Sequence, residues 1–227
     1  MEEIKQAAAG KLRVHRIALR MSLAYLIESD GGLILVDAGL RGEEKRMLAA
    51  ISRIDGHDLR LIYITHAHLD HYGSAAALRR ETGAPIAVHR ADGPAMAAGE
   101  TRLGQARGQG RILGALLPLV HPLLRPEPAE ADILLEDGQR LDDYGLDGRI
   151  VHTPGHTLGS TCLVAEERLA FSGDLVTSTG GAHVQRAFAE DWDAIPNSVR
   201  RLQAVKPEWV YPGHGRHLIS GADLQAL

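Results

Sequence analysis

The sequence predicts an α+β fold: two β-sheets laid face to face, with helices on their outer faces. Element order is the first reason. Strands come first, then helix and strand alternate, then strands return, and a helix–strand pair closes the chain. The second reason is Leu61–Thr65, a short continuous apolar run of the kind a buried strand carries. Length is the third, because 227 residues is about one and a half times the ~150 of an average domain. One large domain over 1–227 accounts for it, with an insertion. A fold of this size buries roughly 70% of the surface its unfolded chain exposes and needs no covalent staples.

Taken in order, Leu23–Glu28 and Leu33–Val36 form a hairpin around Ser29-Asp30-Gly31-Gly32, whose residues tolerate positive φ. Gly42 to Ile54 places Met47, Leu48, Ile51 and Ile54 at a helical period. After the strand Leu61–Thr65, Ser74 to Thr82 reads as a helix stopped by Gly83. Pro85–His89 is the next strand. Asp132–Leu135, Arg149–His152, Ser160–Val164 and Leu169–Ser172 follow as strands separated by Gly, Asp or Pro turns. Asp193–Lys206 is a helix closed by Pro207, and Trp209–Tyr211 is a last strand. Between Ala91 and Ala131 the character changes to Ala, Gly, Leu and Pro, so about 91–131 is expected to be a helical insertion or flap.

Composition narrows the class. With 44% hydrophobic and 24% charged residues the chain is globular, neither disordered nor fibrous. Its 25 basic and 29 acidic side chains give −4, which supplies no pull toward nucleic acid. One cysteine, Cys162, excludes an internal disulfide and a thiolate zinc knuckle. The acidic N-terminus lacks an apolar signal segment, and the longest apolar run, the 13 residues Ile112 to Leu124, holds two prolines. A membrane span needs ~20 apolar residues, so a cytoplasmic chain is expected.

The unusual count is 12 histidines. Thr65-His66-Ala67-His68-Leu69-Asp70-His71 follows a buried strand and precedes a helix. Residues two apart on a strand end point the same way, so His66 and His68 can aim at one point. Asp70 and His71 fall in the turn toward the helix, where a carboxylate suits the N-terminus. Three further polar residues stand just past strands and beside glycines: His156 in Pro154-Gly155-His156-Thr157, Asp174 in Ser172-Gly173-Asp174, and His214 in Gly213-His214-Gly215. Glycine lets the backbone turn sharply and come close to a site.

This set, HAHLDH, PGHT, SGD and GHG, preceded by Val36-Asp37-Ala38-Gly39, resembles the metallo-β-lactamase superfamily of hydrolases from Leu23 to His214. The resemblance implies a four-layer αββα sandwich with a metal site on one edge of the sheets. It implies one metal on His66, His68 and His156, and a second on Asp70, His71 and His214, with Asp174 bridging. Asp37 would hydrogen-bond a ligand histidine and set its tautomer.

Imidazole and carboxylate donors without sulfur favour two divalent ions, Zn²⁺ first, with Fe²⁺ or Mn²⁺ under the same donor set. A water bridging two such ions ionises near neutral pH, so no serine or cysteine nucleophile is required. Asp70 would orient that hydroxide as the catalytic carboxylate, and Cys162 becomes a small core residue. The expected activity is dinuclear hydrolysis of an ester, thioester or lactone. The alternative is a persulfide dioxygenase-like enzyme with one Fe²⁺ on His66, His156 and Asp174. A non-catalytic or nucleic-acid-processing relative is the third reading, opposed by the complete ligand set and the missing basic balance.

Glyoxalase II adds a helical C-terminal domain, for which the 13 residues after His214 leave no room. Quorum-sensing lactonases are closer in length and use a tyrosine near the metals, which makes Tyr72 a candidate substrate contact. His183 and Arg186, on the loop after Asp174, are two more. From Thr101 to Pro126 the chain has no acidic residue, while Arg102, Arg107, Arg111 and Arg125 flank the apolar stretch Ile112–Val120. Such a segment could cover the metal edge and take an acyl chain or anionic group, or pack against a second subunit as a homo-oligomer contact. His15, His57, His89, His121 and His217 lie outside any motif.

Overall fold

The computed structural model describes residues 2–3, 12–108, 110–112 and 124–227. Its first sheet has seven strands: β1 (Glu2–Glu3), β2 (Arg13–Ala18), β3 (Leu23–Ser29), β4 (Gly32–Val36), β5 (Leu59–Tyr63), β6 (Ile86–His89) and β7 (Ile133–Leu135). They lie in chain order; β1 to β4 pair antiparallel, and β4 to β7 pair parallel. Helices α1 (Glu44–Ile51) and α3 (Ala75–Thr82) make the crossovers on the outer face, and the one-turn α2 (Leu69–Tyr72) precedes α3. The second sheet holds β8 (Gly148–His152), β9 (Thr161–Ala165), β10 (Leu169–Gly173), β11 (Trp209–Pro212) and β12 (Ile219–Ser220), in the order β12-β11-β10-β9-β8. Helix α4 (Gly93–Ala97) follows β6, α5 (Ile195–Val205) covers the second sheet, and α6 (Gly221–Gln225) ends the chain.

Burial on both faces explains the unbroken apolar strands. In β3, Tyr25 and Ile27 point between the sheets toward Leu163, Phe171 and Tyr211, while Ala24 and Leu26 point outward to the helix layer with Met47 and Leu78. The second sheet repeats this, with Leu163 inward and Cys162 and Val164 outward against Val199 and Leu202 of α5. Helix, sheet, sheet and helix therefore form four layers, as expected. Between the sheets Tyr25 meets Phe171 and Tyr211 edge-on at 5.6 and 5.3 Å. Such pairs add about 0.5–1.5 kcal/mol each beyond burial. The Tyr25 hydroxyl crosses the gap to donate to the carbonyl of Pro212 at 2.8 Å.

Several boundaries move inward from the periodicity. The first crossover helix spans Glu44–Ile51, and the second ends where Gly83 adopts φ +74. The strand Arg13–Ala18 is an addition, because His15 and Arg16 interrupt its apolar face. Inside 91–131 the described residues include α4 and a two-residue strand, Gln105–Ala106, paired with Phe188–Ala189. Residues 113–123, most of the Ile112–Val120 stretch, lie outside the described residues. No helix among the described residues is long and apolar enough to cross a membrane.

Candidate metal centre

Both sheets deliver side chains to one edge, at the carboxyl ends of strands. Asp37 follows β4, His66 and His68 follow β5, His156 follows β8, Asp174 follows β10 and His214 follows β11. The edge is stitched across the sheets by Thr161 N to Thr65 O at 3.0 Å and by Leu23 N to Gly213 O at 2.8 Å. Three sets of donor atoms lie within 4.8 Å of one another: His66, His68 and His156; His66, His71 and Asp174; and Asp70, His71 and His214. A Cβ at Gly213 would stand 2.7 Å from Asp174 Oδ1 and from His71 Cε1, so the backbone passes the cluster only as glycine.

Each of four imidazoles gives one ring nitrogen to a protein acceptor and turns the other to the centre. His156 Nδ1 donates to Phe188 O at 3.0 Å, His68 Nε2 to Arg102 O at 3.0 Å and His71 Nδ1 to Asp37 Oδ2 at 2.8 Å. The Thr65 hydroxyl donates to Asp37 at 3.0 Å, which leaves it to accept from His66 Nδ1 at 3.0 Å. These acceptors assign the tautomers. They leave lone pairs on His66 Nε2, His68 Nδ1 and His156 Nε2, while His71 Nε2 faces the carboxylates of Asp174 and Asp70 at 3.2 and 3.7 Å. His66 Nε2 and His156 Nε2 are buried with no hydrogen-bond partner. Unpaired nitrogens converging in a buried site fit a cation and little else.

The charges divide the edge in two. Burial, aided by the neighbouring imidazoles, pushes His66 well below the usual histidine range and His156 to about 3. At His71 and His214 burial is outweighed: Asp174, Asp37 and Asp70 hold His71 far above the ordinary value, and Asp174 and Asp70 raise His214 to about 10. In return the two histidines overcome burial to bring Asp70 to about 2 and Asp174 well below a normal carboxyl. Asp174 stands between both groups, 3.2 Å from His71 Nε2, 3.4 Å from His156 Nε2 and 3.2 Å from His214 Nε2. The protons held there occupy places a divalent cation would take.

A cleft of about 710 Å³ opens over the cluster, lined by His68, Asp70, His156, Asp174 and His214. Met21, Leu69, Leu103 and Phe188 make an apolar wall, and His183 and Arg186 also line it. Tyr72 does not reach the cleft. It is fully buried in the outer helix layer, and its hydroxyl donates to Glu100 O at 2.8 Å. One residue past His71 on a helical turn is about 100° away, which is why the tyrosine packs instead of lining the site. Asp92 and Thr65 were not singled out from sequence. Asp92, buried after β6, accepts hydrogen bonds from both the His66–His68 and the His156 segments. Its only local trace is Gly159, whose missing Cβ lets the carboxylate approach.

Comparison with known proteins identifies the family. The chain is 26% identical over 202 residues to an atrochrysone carboxyl ACP thioesterase of Aspergillus fumigatus, a match covering 88% of this chain and 52% of that one. The chain thus spans about half of that relative's length. Among solved structures, TTHA1623 in a di-iron-bound form is 27% identical with a TM-score of 0.68, covering 92% of this chain and 95% of that one. The BLEG-1 B3 metallo-beta-lactamase has a TM-score of 0.73 at 22% identity, covering 94% and 97%, and so shares the fold. The metallo-beta-lactamase superfamily profile matches residues 17–214, from β2 to the last donor histidine, and the chain belongs to that superfamily.

Proposed function

We propose that the chain is a dinuclear metallohydrolase acting on an ester, thioester or lactone. The observation that carries this is the pair of buried nitrogens on His66 and His156 that no hydrogen bond satisfies, beside a second cluster of Asp70, His71 and His214. His66, His68 and His156 would hold one ion, and Asp70, His71 and His214 the other, with Asp174 shared. Zn²⁺ suits this donor set, and the di-iron form of TTHA1623 makes iron the next choice. Two bound divalent ions supply an activated water and polarise a carbonyl oxygen.

The chain's own residues do the rest. Asp70, 3.3 Å from His214 Nε2 and lining the cleft, would orient the attacking water by accepting its hydrogen bond. Asp37 and Thr65 keep His71 and His66 turned toward the centre. The apolar wall suits an acyl group, and the A. fumigatus relative is named as a thioesterase. His183 and Arg186 would meet the polar end of the substrate. Thr101, Leu103, Gly108 and Gly110 line the cleft from the 91–131 segment, which supports its reading as a flap on a single domain.

Metal analysis with a substrate panel tests the proposal. About two equivalents of metal, with ester, thioester or lactone hydrolysis lost to a chelator and restored by Zn²⁺, are expected. One equivalent of iron with oxygen uptake on a glutathione persulfide would replace it by the dioxygenase reading. Shortening residues 108–124 should keep the metal and flatten acyl-chain preference; an unchanged preference leaves the segment a packing element.

A further inference from the structure

Asp92 belongs to none of the motifs, yet its carboxylate touches two of them. It lies at the corner between β6 and α4 and is 3% exposed. Oδ2 accepts from the backbone N–H of Ala67 at 2.7 Å and from the Thr157 hydroxyl at 2.8 Å. Oδ1 accepts from the backbone N–H of Gly159 at 2.8 Å. Ala67 sits between His66 and His68, and Thr157 directly follows His156. No lysine or arginine pairs with Asp92 among the described residues.

The opposite partner is shaped to receive it. A Cβ at Gly159 would stand 2.4 Å from Asp92 Cγ and Oδ1, a distance no side chain tolerates. A buried carboxylate without a counter-ion is costly unless its donors are fixed. Here three donors from two segments meet it, and each segment carries donors of the three-histidine set. The rings are thereby held with His66 and His156 centroids at 4.7 Å and those of His68 and His156 at 4.5 Å.

We propose that Asp92 is a positioning residue for the His66, His68 and His156 set, fixing the separation of the two segments at which their three nitrogens share one cation. This rests on the metallohydrolase reading above. Asp92→Asn keeps the size but turns an amide N–H against one of the donors, and Thr157→Val removes one tie while leaving the carboxylate.

The test is Zn²⁺ titration of apoprotein against a chromogenic chelator, with the visible spectrum of the Co²⁺-loaded protein as second readout. Asp92→Asn should weaken one of the two binding steps by about 10–100-fold and shift the Co²⁺ bands of that step, with a smaller effect in the same step for Thr157→Val. Wild-type binding in both variants overturns the role of Asp92 and leaves the metallohydrolase reading standing. Equal weakening of both steps, with a lowered apoprotein Tm, makes Asp92 a general structural residue and also overturns it. If Asp92→Asn does not fold, Thr157→Val decides alone. A wild-type protein that takes up no metal ends both proposals.

Discussion

Asp37 Oδ2 accepts the Nδ1–H of His71 at 2.8 Å while Oδ1 of the same carboxylate accepts the backbone N–H of Thr65 at 2.8 Å. One side chain thus orients a donor histidine and anchors the strand end that carries two others. Asp37 reaches this position at φ +62, a conformation glycine favours and other residues adopt rarely. The strain is consistent with a residue retained for its contacts.

Replacing Asp37 by Ala should therefore act on metal before fold. We expect affinity for the second ion to fall about 10–100-fold, as for other partners of ligand histidines. Equilibrium dialysis of wild type and Asp37→Ala against buffered Zn²⁺ reads the difference. Equal occupancy would leave the Asp37–His71 bond without a role in binding.

Arg186 is exposed at the cleft and has no ion-pair partner among the described residues. With an acyl substrate bearing a carboxylate or phosphate, Arg186→Ala should raise KM by about 10-fold or more, the worth of a charged hydrogen bond. For a neutral ester KM should stay put. Steady-state kinetics on the matched pair of substrates decides it, and a parallel change in both would remove Arg186 from substrate recognition.

Cys162 is fully buried on β9, and burial pushes its thiol up to about 12. It should resist alkylation in the native state, and Cys162→Ala should hydrolyse substrate within about twofold of wild type. The cost should be confined to stability, about 1 kcal/mol for a small void. Loss of turnover with metal content intact would give the thiol a chemical part.

Away from the cluster, His89 stacks on His152 with centroids 4.0 Å apart, and Ala91 N–H donates to His89 Nδ1. Burial, with the adjacent His152 ring, lowers His89 to about 4. The unfolded chain binds this proton near the ordinary value of ~6.5, so the native state binds fewer protons between the two. The stabilisation is complete above about pH 6.5 and is lost as the pH falls to 4, on the order of 2 kcal/mol. Urea denaturation of the apoprotein across that window should show a flatter profile for His89→Phe, which keeps the stack without the titration. Identical slopes would mean that His89 is not the group responsible.

The donor cluster was legible because its signals are local. His66, His68, Asp70 and His71 lie within six residues, and His156, Asp174 and His214 each follow a strand and touch a glycine. The two-sheet architecture was legible from element order and from strands apolar on both faces. What failed to show was contact across distance. Asp92 meets Thr157 across 65 residues, and no sequence period encodes that bond. Tyr72 misled for the converse reason: adjacency in the chain to His71 placed it on another side of a helical turn. Strand β2 escaped because its polar positions are occupied by His15 and Arg16, one of them buried against Glu28.

The Tyr25 hydroxyl that reaches Pro212 gives the aromatic core a second significance. Pro212 stands two residues before His214, so the spacing of the two sheets is also the reach of a donor histidine. With metal bound as proposed, a change of packing at Tyr25, Phe171 or Tyr211 would reach the edge through Pro212 as altered coordination. In this protein the tolerance of the hydrophobic core is bounded by the shortest bonds the molecule would make.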